Sequence, residues 1–317
     1  MDSNPFCSVV IPALNEEEFI ERCLLSLSDQ TYPRDRYEII VVDNGSIDST
    51  RTLAEKYADK VLIKPDLNVG AVRNEGAWQA RGEVLICTDS DCLFERTWIE
   101  NGLGLLRNHS NHVYGGGLKS GHNPTWIEKY WLLNDHGENT KQQKDLMGSC
   151  IFVWKPAFVA AGGFREDITS GEDTELSKAL AYLGNKICID KSLSIIHMGN
   201  AKTIGSFTRR QAWHAENYIE NLAQSLKDPT FYLASAFLVL LICLPASVVV
   251  LPELFVILLI LAFLLPALLS AKRIVRAKLS ATSCLKSIPL IYTLDLLYLA
   301  SRSAGILKGI INYRKTG

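Results

Sequence analysis

The chain has 317 residues, 48% of them hydrophobic, and a formal net charge of −1. That balance supplies no broad phosphate-neutralising face, which argues against a general nucleic-acid binder and for a small partner. The eight cysteines include no Cys-x-x-Cys pair, so they fit neither a disulfide framework nor a zinc site and read as reduced, mostly buried thiols on the cytoplasmic side of a membrane.

Taken in chain order, SVVIPAL, YEIIVVDN, KVLIKP and EVLICTDSD read as strands, and EEEFIERCLLSL, DSTRTLAEKYA and VRNEGAWQARG as the helices between them. Strand and helix alternating in this way predict parallel strands with helices on both faces, and ligands in such sheets bind beyond the carboxyl ends of the strands. The loops carrying Asn15, Asp43 and the pair Asp89 and Asp91 therefore share one rim. Further on, HVYGGGLKS, MGSCIFVWKP and KICIDKSLSIIHMG read as strands, EDTELSKALAYLG as a helix closing at Gly184, and residues 208 to 226 as a long amphipathic helix.

The composition then changes. From Phe231 to Ala271 the only formal charge is Glu253, which sets a boundary between an α/β domain over 1–227 and a membrane region over 228–317. Two apolar runs, about 231–251 and 254–271, are long enough to cross a bilayer as a hairpin. The basic stretch with Lys272, Arg273, Arg276, Lys278 and Lys286 belongs on the cytoplasmic side, which puts the α/β domain there as well. A last apolar segment, about 288–311, carries Asp295, Arg302 and Lys308. It is either a third span with polar interior contacts or a helix lying in the interface, and the latter is preferred.

Two carboxylates at i and i+2, Asp89 and Asp91, end the apolar run VLICT. Unpaired, they would repel; a divalent cation between them removes that cost, and hard oxygen ligands favour Mg²⁺ or Mn²⁺ completed by water and substrate phosphates. Taken alone, such a pair is equally a solvated turn.

In order and spacing, SVVIPALNEEEFIERCLLSLSDQ, IIVVDNGSIDST, NVGAVRNEGAWQARGEVLICTDSDC and GGFREDITSGEDTELSKAL resemble the glycosyltransferase family 2 catalytic domain of the GT-A fold. The resemblance covers about Cys7 to Met198. It implies transfer of a sugar from a nucleoside-diphosphate sugar, with a metal on the diphosphate and inversion at the anomeric carbon. By matched position it implies that Pro12, Ala13, Asn15 and Asp43 meet the nucleoside, with Asp43 accepting from a base N–H. Capping of the GSIDST turn is a compatible role for the same carboxylate. Arg73 is implied near the nucleotide, where a guanidinium suits phosphate oxygens, and Asp89 is shared between donor and metal. Asp91 and His197 are implied as further metal or diphosphate contacts, although a lone histidine after a strand is also an ordinary structural residue. Asp173 is implied as the general base and Glu172 as an acceptor-binding or loop-positioning residue; helix capping is their alternative. Trp154 is either an acceptor platform or a core residue.

The segment FTRRQAWHAEN has Gln211 and Trp213 but lacks the Gln-x-x-Arg-Trp order of processive synthases, so a single-transfer enzyme is expected, with Arg209 or Arg210 on donor phosphates or anionic lipid heads. The expected function is a membrane-anchored, metal-dependent glycosyltransferase acting on a lipid-linked or membrane-proximal hydroxyl. A polyprenyl-phosphate sugar synthase and a non-catalytic membrane scaffold with a degraded transferase domain are the alternatives. A nucleotidyltransferase is disfavoured because IPALNEEE offers no glycine-rich phosphate loop, and an aspartyl phosphatase because its acidic pair would follow the first strand.

Overall fold

A computed structural model of the chain describes residues 4–133, 139–168, 170–220, 222–277 and 281–316. The chain opens with β1 (Cys7–Ala13), α1 (Ile20–Ser28), β2 (Tyr37–Asp43), α2 (Thr50–Tyr57), β3 (Lys60–Ile63), α3 (Val69–Gln79) and β4 (Val84–Thr88). It continues through β5 (Cys92–Leu93), α4 (Trp98–Asn108), β6 (His112–Gly115), β7 (Leu118–Lys119), α5 (Trp126–Trp131), β8 (Thr140–Gln142), β9 (Cys150–Trp154) and α6 (Lys155–Ala160). Then follow α7 (Glu172–Tyr182), β10 (Lys186–Asp190), β11 (Ile195–His197), α8 (Ile204–Glu220), α9 (Leu222–Ser225), α10 (Pro229–Val250), α11 (Pro252–Ala277) and α12 (Ala281–Thr316). Two compact units result: one takes the chain up to Gly121 and again up to Gly199, the other takes α5 and everything from Asn200 onwards.

The first unit is a three-layer α/β domain. Eight strands form one sheet in the order β3-β2-β1-β4-β9-β6-β10-β8. The run β3-β2-β1-β4 is parallel, β10 is parallel to β6, and β9 and β8 run against their neighbours. Strands β2 and β4 are buried along their whole length, as expected of a parallel sheet covered on both faces. Leu24, Leu27, Val41, Trp98 and Phe152 lie in the core on one face, and Val42, Val72, Leu85, Phe158 and Leu176 on the other. Helix α3 sits hard on the sheet because Gly76 has no side chain: a Cβ there would lie 2.4 Å from Val10 Cγ1.

Register fixes the working edge. Ala13 pairs with Asp43 and Cys7 with Val84, so β1, β2 and β4 end on one rim. Strand β9 runs the other way, pairing Cys150 with Thr88 and Trp154 with Val84. Its start joins that rim and Trp154 lies at the opposite edge.

The second unit is all-helical. By length and composition, three helices are long and apolar enough to cross a membrane: Pro229–Val248, Pro252–Ala277 and Ser287–Asn312. The first two leave Val239, Ile242, Ile257, Ile260, Phe263 and Leu268 more than half exposed, surface that water would penalise and lipid would not. Polar groups on α12 are taken up within the unit. Asp295 is fully buried and accepts from Ser270 Oγ at 2.7 Å and Arg273 Nη1 at 2.6 Å. The same guanidinium donates to the carbonyls of Tyr130 and Trp131, fixing α5 to this unit. The basic stretch is partly helical, since Lys272, Arg273 and Arg276 belong to α11; Lys278 and the side chain of Lys286 lie outside the described residues.

Candidate active site

The rim collects carboxylates strand by strand. Asp43 ends β2, is 2% exposed, and accepts from the Ser46 hydroxyl and backbone N–H. It therefore holds the β2–α2 turn, as an aspartate at a turn does. Asn15, in the left-handed region at φ 55°, accepts from Ile47 N at 3.0 Å, and its own N–H donates to Ser46 Oγ at 3.0 Å. The loops after β1 and β2 are thus tied together. Pro12 pairs with Val42, and Ala13 is buried beside them.

Asp89 and Asp91 follow β4 but serve different partners. Asp89 Oδ1 accepts from Arg73 Nη2 at 2.7 Å. Asp91 Oδ2 lies 3.1 Å from His197 Nδ1 at the end of β11, a strand whose His197 pairs with Cys92. That nitrogen is buried and makes no hydrogen bond. Two donor atoms at this separation without a hydrogen bond fit one cation, because cis ligands ~2.1 Å from an octahedral ion lie roughly 3.0 Å apart. A third candidate donor, Cys92 Sγ, lies within 4.8 Å of both groups. Burial, and then Asp89 and Asp91, push its thiol far up, as low dielectric and neighbouring carboxylates do to any thiol. Asp89 is outside this cluster. Gly199 borders it closely, since a Cβ there would lie 2.3 Å from Asp91 Oδ2.

Sequence reasoning missed Glu16, which faces this acid group from the loop after β1. Burial, and then Asp91 and Asp89, push its carboxyl up to about 7, the response of an acid to low dielectric and like charge. Its position directly after a buried strand, on the same rim as the other acids, was the available signal.

Arg73 lies within α3 and is 4% exposed. Its guanidinium bridges Asp89 and Glu172, so these bonds are spent on two carboxylates of the protein. A Cβ on Gly148 would lie 2.6 Å from Arg73 Nη2, and the Gly148 N–H donates to Asp173 Oδ2 at 2.9 Å. Asp173 Oδ1 accepts from Thr174 N at 2.7 Å. The helix N-cap here is Gly171, in the left-handed region at φ 84° with no side-chain hydrogen bond. Both acids stand in the first turn of α7, where Asp173 takes up the free N–H of Thr174 by side chain. Asp43, Asp89, Asp91, His197, Arg73 and Glu172 are thus held by the ends or loops of β2, β4, β11, α3 and α7. Trp154 is not brought to this rim: it packs against the core at the sheet's far edge, because β9 is antiparallel.

Residues 8–160 match the family model Glycosyl transferase family 2. Glycosyltransferase AglE of Haloferax volcanii is 28% identical over 217 residues, covering 65% of this chain and 71% of that protein. Poly(ribitol-phosphate) beta-N-acetylglucosaminyltransferase TarS of Staphylococcus aureus is 31% identical over 112 residues, 33% of this chain, and the match spans 20% of TarS. Among solved structures, mannosyltransferase PcManGT from Pyrobaculum calidifontis, in complex with GDP-Man and Mn²⁺, shares the fold with a TM-score of 0.61 at 17% identity, over 98% of this chain and 88% of that one.

Proposed function

The chain carries a glycosyl transferase family 2 domain of the GT-A fold followed by apolar helices, and on that premise we propose that it is a membrane-anchored, metal-dependent, inverting and non-processive transferase. It moves a sugar from a nucleoside-diphosphate donor to a hydroxyl of a lipid-linked or membrane-proximal acceptor. The observation that carries this reading is the rim itself, where Asp43, Asp89 and Asp91 follow parallel strands and the unbonded His197 Nδ1 stands 3.1 Å from Asp91 Oδ2.

Asp43 and the loops through Asn15 form the nucleoside end. Asp91 and His197 would hold Mn²⁺ or Mg²⁺, which would supply positive charge for the leaving diphosphate. Asp173 takes the acceptor hydroxyl proton on a carboxylate oxygen; the acceptor oxygen then forms its bond to the sugar anomeric carbon as the bond to the diphosphate oxygen breaks. Arg73 positions rather than binds: its guanidinium ties Asp89, on the donor side, to Glu172, beside the base. With the α/β domain on the cytoplasmic face, the apolar helices anchor the chain in the bilayer, which is where a lipid-linked acceptor presents its hydroxyl.

The test is a donor-hydrolysis screen of the full chain in detergent, using UDP-, GDP- and dTDP-sugars with Mn²⁺ or Mg²⁺. One donor class should be turned over with metal and lost in Asp91→Asn. No turnover of any donor, or turnover unaffected by Asp91→Asn, overturns the reading.

A further inference from the structure

Helix α8 has two distinct faces. Phe207, Gln211 and Ala215 are buried at four-residue steps, while Trp213 is 59% exposed. Arg209, one turn before Trp213, is exposed with it. The buried face is seated tightly on α12: a Cβ on Gly305 would lie 2.2 Å from the Ala212 carbonyl oxygen, and one on Gly309 would lie 2.5 Å from that of Glu216. At these two positions the helices leave no room for a side chain.

The contacts of α8 also fix its level in the helical unit. Ala215 shares a small core with Ala234 of α10 and Ile306 of α12, joined by Tyr218 and Phe231. Phe231 and Ala234 lie in the first turns of α10, whose apolar stretch begins at Pro229. On that first turn Tyr232 is 54% exposed, with its hydroxyl donating to the Leu226 carbonyl at 2.8 Å. Exposed tryptophan and tyrosine at the mouth of an apolar span are the side chains that settle at the headgroup level, with an apolar ring inward and a polar edge in water. An arginine one turn from the tryptophan adds attraction to negatively charged lipid, and its stem lies along apolar surface while its charge stays at the boundary.

We propose that α8 lies in the headgroup layer of the membrane, with Arg209 and Trp213 turned towards anionic phospholipid. This rests on the membrane reading of α10 and α11. It assigns the outward face to lipid, so Arg209 serves lipid phosphate instead of donor phosphate. A donor contact would require this face to be covered by the nucleotide, whereas the exposed aromatic on the same face matches a bilayer boundary.

The experiment uses the full chain reconstituted in vesicles of phosphatidylcholine with or without phosphatidylglycerol, with and without lipids brominated near the headgroup. The emission of Trp213 is obtained as the difference between the native chain and Trp213→Phe, a change at an exposed site. That difference emission should be blue-shifted from the water value and lose most of its intensity to shallow brominated lipid. The loss should be larger with phosphatidylglycerol, and Arg209→Gln should abolish that excess. A chain that floats with vesicles but whose Trp213 emits as in water, untouched by bromine, overturns the inference and leaves the membrane reading standing. A chain that does not float with vesicles overturns both. Equal quenching with and without phosphatidylglycerol removes the anionic headgroup from the proposal.

Discussion

Replacing Arg73 by methionine tests whether this guanidinium belongs to the protein or to the nucleotide. Its side chain is 5% exposed, and that of its partner Glu172 is 9%. Asp89, at 29%, can relax towards water once released, but Glu172 cannot. Arg73→Met therefore leaves one buried carboxylate without its counter-charge, a loss of about 3–5 kcal/mol. For a unit of this size each kcal/mol moves the melting temperature by roughly 2–4 °C, so a fall of about 6–20 °C is expected. The double change Arg73→Met with Glu172→Leu removes both charges and should restore most of that loss, since a buried pair exchanged for apolar groups of similar volume is often neutral. Thermal melting of the full chain in detergent, read beside nucleoside-diphosphate affinity, separates the two roles. A melting temperature within about 2 °C of the native value, together with at least a tenfold loss of nucleotide affinity, would mean that Arg73 faces the diphosphate and would refute the positioning argument.

Four further outcomes bear on the site and its setting. Chelator should abolish transfer and Mn²⁺ or Mg²⁺ restore it, while Asp91→Ala should weaken nucleotide binding only when metal is present; full activity in excess chelator sinks the metal assignment. Gly199→Ala puts a Cβ against Asp91 Oδ2, so metal affinity, measured by Mn²⁺ paramagnetic titration, should fall about tenfold or more with the fold retained; unchanged affinity would place the cation elsewhere. Asp173→Asn should lower turnover by roughly two to four powers of ten with donor affinity little changed, and near-normal transfer removes Asp173 from the mechanism. A reporter fused near Pro252 should read as external and one near Arg276 as cytoplasmic; the reverse pattern overturns the cytoplasmic donor.

What was legible in the sequence followed from periodicity and from acids placed where apolar runs stop. Strands β1 to β4 and the helices between them could be read because each buries a face with its own period, and the shared rim followed from parallel strand direction alone. Trp154 escaped for the complementary reason. An apolar run reads the same in either direction, so nothing in MGSCIFVWKP tells that β9 runs against β4, and that reversal sends Trp154 to the far edge and brings Gly148 to the site. The partner of Arg73 was hidden for a related reason. Composition marks an arginine as able to hold phosphate, yet whether its charge is already spent depends on Glu172, 99 positions later in the chain, and on a glycine whose missing side chain leaves the guanidinium room. Glycines 148 and 199 carry no chemistry of their own and so give no local signal. Their part is to let Arg73 and Asp91 stand where they do, and such absences become visible only once the neighbouring atoms are in place.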